Sequence, residues 1–216
     1  MINFFKTTVA LGAVATLAAC GSSGGGGDGL ASDISLREIQ NLALRAEGAS
    51  LAQESDLNGT AIMSGVFLAE VDVNTGNISE NVIIGDMDVT ANFNTGDVTG
   101  SATNLGLYDD NDSCETLDGC VVTTTGTIDG ALDLTATVSG SGFDGTLGGN
   151  VSGTLVEDDS TFSGSVDLDV TGAFGIDDDG LLAEALVDGT ADLSVTDSSG
   201  TSDETLGIDG AFLVAE

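Results

Sequence analysis

Phe162-Ser-Gly-Ser-Val-Asp-Leu-Asp-Val-Thr-Gly-Ala-Phe174 alternates between two chemistries. Phe162, Gly164, Val166, Leu168, Val170, Gly172 and Phe174 form one set; Ser163, Ser165, Asp167, Asp169 and Thr171 form the other. Successive side chains of a strand point to opposite faces, so a period of two predicts a strand with one apolar and one wet side. The same period recurs upstream and downstream. Leu132, Leu134, Ala136 and Val138 oppose Asp133, Thr135 and Thr137; Ile83, Met87, Val89, Ala91 and Phe93 oppose Asp86, Asp88, Thr90 and Asn92. Leu193 and Val195 oppose Asp192, Ser194 and Thr196, and Leu206, Ile208, Phe212 and Val214 end the chain.

Together these stretches predict eight or nine strands near 60–73, 82–94, 97–107, 121–130, 131–142, 145–156, 160–174, 187–197 and 204–214. Turn signals stand between them at Asn94-Thr-Gly-Asp97, Asp129-Gly130 and Asp144-Gly145. Short connections favour antiparallel neighbours. So many strands must hide their edges, and the expected fold is mainly β: a single antiparallel β-barrel of about eight strands over residues 59–216. Alternation alone also fits an outer-membrane barrel, which turns its apolar face to lipid. The soluble form is expected instead. The chain has no Trp and one Tyr, Tyr108, so it cannot build aromatic girdles. Gly149, Gly153 and Gly164 lie in the apolar phase, where they suit a tight interior. With few large residues in that phase, a filled lumen is expected.

Charge removes whole classes of function. There are 36 acidic and 3 basic residues, no His and a formal charge of −33. The bases are Lys6, Arg37 and Arg45, and only Asp28, Asp33 and Glu38 precede Ala46, so 36 − 3 = 33 acids follow with no base among them. A polyanion gains nothing by displacing counterions from a phosphate backbone, so nucleic acid is not an expected partner. Without His, the Ser-His-Asp, Cys-His and His-metal chemistries are gone. Without Lys after the leader, so are Schiff bases, and no enzyme activity or cofactor is expected. The acids are spread over the outer phase of nearly every strand, which fits a hydrated surface in a salty medium better than a patch for one basic partner.

The N-terminus reads as an address. Lys6 followed by the apolar stretch Thr7 to Ala19 forms a secretory signal over residues 1–19, too short to span a bilayer. It ends in Leu17-Ala-Ala-Cys20, a bacterial lipobox in which the Cys20 sulfur takes the lipid. Gly21-Ser-Ser-Gly-Gly-Gly-Gly-Asp-Gly29 lies within a flexible tether over residues 20–32. Ser35-Leu-Arg-Glu38 matches a capping box, and Ile39, Leu42, Ala43 and Ala46 follow at helical spacing, predicting a helix over residues 33–56. The expected location is the outer membrane, anchored by lipid and facing the periplasm or the cell surface.

Two groups of residues invite chemistry. Cys114 and Cys120 are the thiols left after the lipobox, and an oxidising compartment favours a disulfide stapling their loop. Asp109, Asp110 and Asp112 form one acidic cluster and Asp177, Asp178 and Asp179 another. Carboxylates suit Ca²⁺, but neither cluster has EF-hand spacing; the weak Ca²⁺ site competes with a solvated acidic turn, and no metal is expected.

The assembled pattern resembles the β-barrel domain of the transferrin-binding protein B-like lipoproteins. Asn92-Phe-Asn-Thr-Gly-Asp-Val-Thr-Gly100 resembles their strand-turn-strand unit. Gly172-Ala-Phe-Gly175, with Ala183-Glu-Ala-Leu-Val-Asp-Gly-Thr190, is similar to their glycine-aromatic signature, although the Tyr after Phe174 is absent, the gap before Ala183 is long and Asp188 sits where a Gly is usual. The resemblance covers one barrel and no handle domain. It implies a non-enzymatic envelope lipoprotein that binds a protein or small ligand at the cell surface. The alternatives are a passive acidic surface coat and a Ca²⁺-stabilised adhesin module.

Overall fold

The period-two stretches are strands in the computed structural model, which describes residues 36–72, 81–109, 124–156 and 160–216. Helix α1 (Leu36–Gly48) and a two-residue strand β1 (Ser50–Leu51) precede β2 (Thr60–Asp72), β3 (Asn81–Asn92) and β4 (Asp97–Asp109). Then come β5 (Thr124–Gly130), β6 (Leu132–Ser139), β7 (Gly142–Leu155), β8 (Thr161–Asp177), β9 (Gly180–Asp197) and β10 (Gly200–Ala215). Each long strand pairs antiparallel with the next, and β10 pairs back onto β2, with Phe212 opposite Phe67. The meander is therefore a closed ring. Both β5 and β6 pair with β4 on one side and β7 on the other, so they share one stave and the barrel has eight.

The alternation sorts as expected. Leu168 and Val170 are each 2% exposed inside the ring, while Asp167 and Asp169 face outward. One apolar cluster, running from Met63 and Phe67 to Ile208 and Phe212, lies inside the ring. The ring from β2 to β10 lies within residues 60–215, and both apolar clusters lie within residues 39–215.

Three expected boundaries are corrected. Asp129-Gly130 is not a hairpin turn: β5 and β6 keep one continuous register against β7, and Gly130 (φ +120°) only kinks the stave. Asp144-Gly145 lies inside β7; the turn is at Gly140, whose φ of +64° a side chain would disfavour. Finally, β8 runs on to Asp177 and β9 begins at Gly180, well before residue 187. The run Leu181-Leu-Ala-Glu-Ala-Leu186 hides its period because both of its faces are covered. Leu181 and Ala183 meet the lumen, and Leu182 lies under α1.

Helix α1 ends at Gly48, short of residue 56 where the sequence placed its end. Its apolar stripe of Ile39, Leu42, Ala43 and Ala46 packs on an outer patch that includes Val66, Leu68, Val82, Ile84, Tyr108 and Leu213. Burying Ile39 alone contributes roughly 1.5–3 kcal/mol. Glu38 in the first turn and Arg45 in the last oppose the helix dipole favourably. After Gly48 the chain pairs Ser50 with Ile176 and Leu51 with Gly175, and the Ala52 amide donates to the Phe174 carbonyl at 3.0 Å. Ala52 and Leu57 then pack against the lumen cluster. Ser35, the cap in the sequence pattern, lies outside the described residues. Among the described residues no helix is long and apolar enough to cross a membrane.

Candidate functional site

The two ends of the barrel differ. At the end that holds the β3–β4, β6–β7 and β8–β9 turns, four phenylalanines close the lumen. Phe93 meets Phe174 edge-on at 5.0 Å between ring centres, Phe143 meets Phe174 at 5.0 Å, and Phe143 stacks near Phe212 at 6.1 Å. Such pairs add roughly 0.5–1.5 kcal/mol each beyond burial. Glycine makes the space. Phe143 stands directly across from Gly172, where an added Cβ would lie 2.2 Å from its ring. Ala52 and Leu57 pack on the same cluster.

Toward the other end the lumen is open. A cavity of about 260 Å³ is walled by hydrocarbon from Phe67, Ile83, Leu105, Leu107, Leu132, Val151, Phe162, Val166, Leu168 and Ile208. This corrects the expectation of a filled barrel. Four phenylalanines gather at one end, and the small Ala191 in the inner phase of β9 lines the hollow that remains. The period-two pattern reports which face a residue takes and not how far along the bore it sits. The signal that could have revealed the asymmetry is the placement of Phe93 and Phe143 beside turns at the same end.

The cavity's rim is polar. Asn81, Thr125, Ser160, Asp197, Ser202 and Glu204 are its polar lining. Ser160 is buried, and its carbonyl accepts from the Leu155 amide at 2.9 Å. Thr125 Oγ1 donates to Asn81 Oδ1 at 2.8 Å. Asp197 Oδ1 accepts from the Ser199 amide (2.7 Å), the Ser199 hydroxyl (2.6 Å) and the Gly200 amide (3.0 Å). These bonds, led by the Ser199 hydroxyl, hold its carboxyl below the ordinary carboxylate range.

The second acidic cluster is a different device. Asp177 Oδ1 accepts from the amides of Asp179 and Gly180, both at 2.9 Å, in the same Asp-x-x-Gly turn that Asp197 to Gly200 forms. Its carboxylate also takes a bidentate pair from Arg45, Nε to Oδ2 at 2.6 Å and Nη2 to Oδ1 at 3.0 Å. Chiefly through Arg45, its pKa falls from 3.8 to about 2. Both oxygens are occupied, so Asp177 belongs to a hairpin turn and a helix clamp, and Asp178 and Asp179 flank it in that turn. The repeated Asp-x-x-Gly spacing was the sequence signal for this. Among the described residues, no group of three or more acidic or thiol side chains is arranged to hold a metal ion.

Asp109 ends β4 opposite Asn81 at the open end. Asp110, Asp112, Cys114 and Cys120 fall between β4 and β5 outside the described residues, as does Cys20. What the described arrangement can do chemically is exclude water from a small apolar body while presenting polar groups at its mouth. No family model matches the chain, and no curated protein matches its sequence.

Proposed function

We propose that the protein is a non-enzymatic, lipid-anchored envelope protein whose barrel holds a small apolar molecule. The observation that carries this reading is the hydrocarbon cavity, open at one end of the barrel and stoppered by phenylalanines at the other. At about 260 Å³ it lies just under the roughly 300–1,000 Å³ usual for small-molecule sites, so the occupant is small. The leader, the lipobox at Cys20 and the resemblance to transferrin-binding protein B-like barrels support an outer-membrane lipoprotein, facing the periplasm or the surface. Oxidising conditions there favour a Cys114–Cys120 disulfide.

The test is binding of a neutral apolar dye, N-phenyl-1-naphthylamine, followed by fluorescence. Ala191→Phe fills the bore, and it is expected to weaken the dye at least tenfold, about 1.4 kcal/mol, while circular dichroism stays that of the parent. Dye affinity unchanged by this substitution would place binding elsewhere. A second reading, a passive acidic coat, draws on the exposed aspartates of nearly every strand. It gains if the parent protein takes up no dye. Loss of radiolabelled acyl chain in Cys20→Ser tests the anchor separately.

A further inference from the structure

Two carboxylates of the cavity lining, Asp197 and Glu204, lie in the inner phase, against the outward acids of the neighbouring wall. On β10 the inner phase runs Ile208, Leu206, Glu204, Ser202; on β9 it runs Ala191, Leu193, Val195, Asp197. Both stripes are apolar in the bore and turn acidic at its mouth. Asp167, Asp169, Asp188 and Asp209, by contrast, all face out. Packing alone would favour another Leu or Val at position 204, where the side chain is half-buried above Leu206. Adjacent strands put Asp197 and Glu204 on the same side of the opening, the other described polar residues of the lining, Asn81, Thr125 and Ser160, are neutral, and Asp109 stands opposite Asn81 at the same end. From Ala46 onward the chain holds no positive side chain at all. Arg45 is engaged with Asp177 at the stoppered end.

We infer that the occupant is a cationic amphiphile, a small apolar body with an amine or quaternary ammonium head, seated with its head on the Asp197–Glu204 side of the mouth. This rests on the reading of the lumen as a ligand site. A fatty acid would fit the hydrocarbon wall, but its carboxylate would meet two fixed negative charges and no counter-charge. An ammonium head reverses both signs. Partly exposed ion pairs are individually weak, so the discrimination is a matter of one order of magnitude and falls as salt rises.

The experiment uses the chain from Gly21 onward and displaces bound N-phenyl-1-naphthylamine with decyltrimethylammonium, decanol or decanoate, each below its micellar concentration at low salt. Decyltrimethylammonium is expected to displace the dye at about tenfold lower concentration than decanoate, with decanol between them. In Asp197→Asn/Glu204→Gln the ratio falls to about twofold; because it is a ratio, a change in the cavity itself cancels. In Asp188→Asn/Asp209→Asn, which removes the same charge from the outer wall, it stays at about tenfold. Equal displacement by the ammonium and the carboxylate overturns the inference and leaves the lumen reading standing. So does a preference that survives loss of the rim pair, because it would then come from the overall charge. Failure of the parent to bind dye at all brings down the lumen reading and this inference with it.

Discussion

Asp177 serves two structures at once, closing the β8–β9 hairpin and gripping α1 through Arg45. Its carboxyl sits near 2 in the fold against 3.8 ordinarily, so folding favours the ionised form. The resulting stabilisation is fully present above about pH 4 and disappears as pH falls toward 2. Arg45→Ala is expected to cost about 1–2 kcal/mol in urea melts at pH 7, and the difference from the parent should shrink steadily below pH 4. Glu184 is the opposite case. It lies on the outer face of β9 between Ala173 and Leu213, only 6% exposed, and burial raises its pKa above the ordinary 4.5. Stability attached to it is present while the acid is neutral and is lost as pH rises through its folded pKa. Glu184→Gln should therefore raise the melting temperature at pH 7 and leave it unchanged near pH 4, which calorimetry at the two pH values checks.

The elements show why some of the fold was legible and some was not. β8 announces itself because one face meets water and the other meets the bore, and the turn at Asn92–Asp97 because Gly96 takes φ +81° where a side chain is disfavoured. The start of β9 does not, since α1 lends a second apolar environment to Leu182, and that shelter is a tertiary fact. The stopper was hidden for a similar reason: Phe93 comes from the β3–β4 turn and Phe143, Phe174 and Phe212 from three strands distant in sequence. Phe174 is its centre, touching the rings of both Phe93 and Phe143. Phe174→Ala is expected to cost about 3–5 kcal/mol in urea unfolding. Gly172→Ala should also destabilise, by about 1–3 kcal/mol, because the new methyl and the Phe143 ring claim the same volume.

For the molecule as a whole, the exterior is a field of like charges. Glu70, Asp209, Asp188 and Asp169 stand side by side across β2, β10, β9 and β8. Directly opposed residues on neighbouring strands are about 5 Å apart and repel when alike. Screening at that range needs a Debye length near 3 Å, reached at about 1 M salt. The melting temperature should thus keep climbing between about 0.1 and 1 M NaCl rather than level off early. Asp188→Lys, which inserts a cation between Asp169 and Asp209, should stabilise by about 0.5–1 kcal/mol at low salt and by less at high salt. The ring itself has a bearing on biogenesis. Because β2 finds its second neighbour only in β10, the cylinder cannot be zipped shut until β10 is free to join. A chain without β10 exposes two raw sheet borders, on β2 and on β9, to whatever strand comes next.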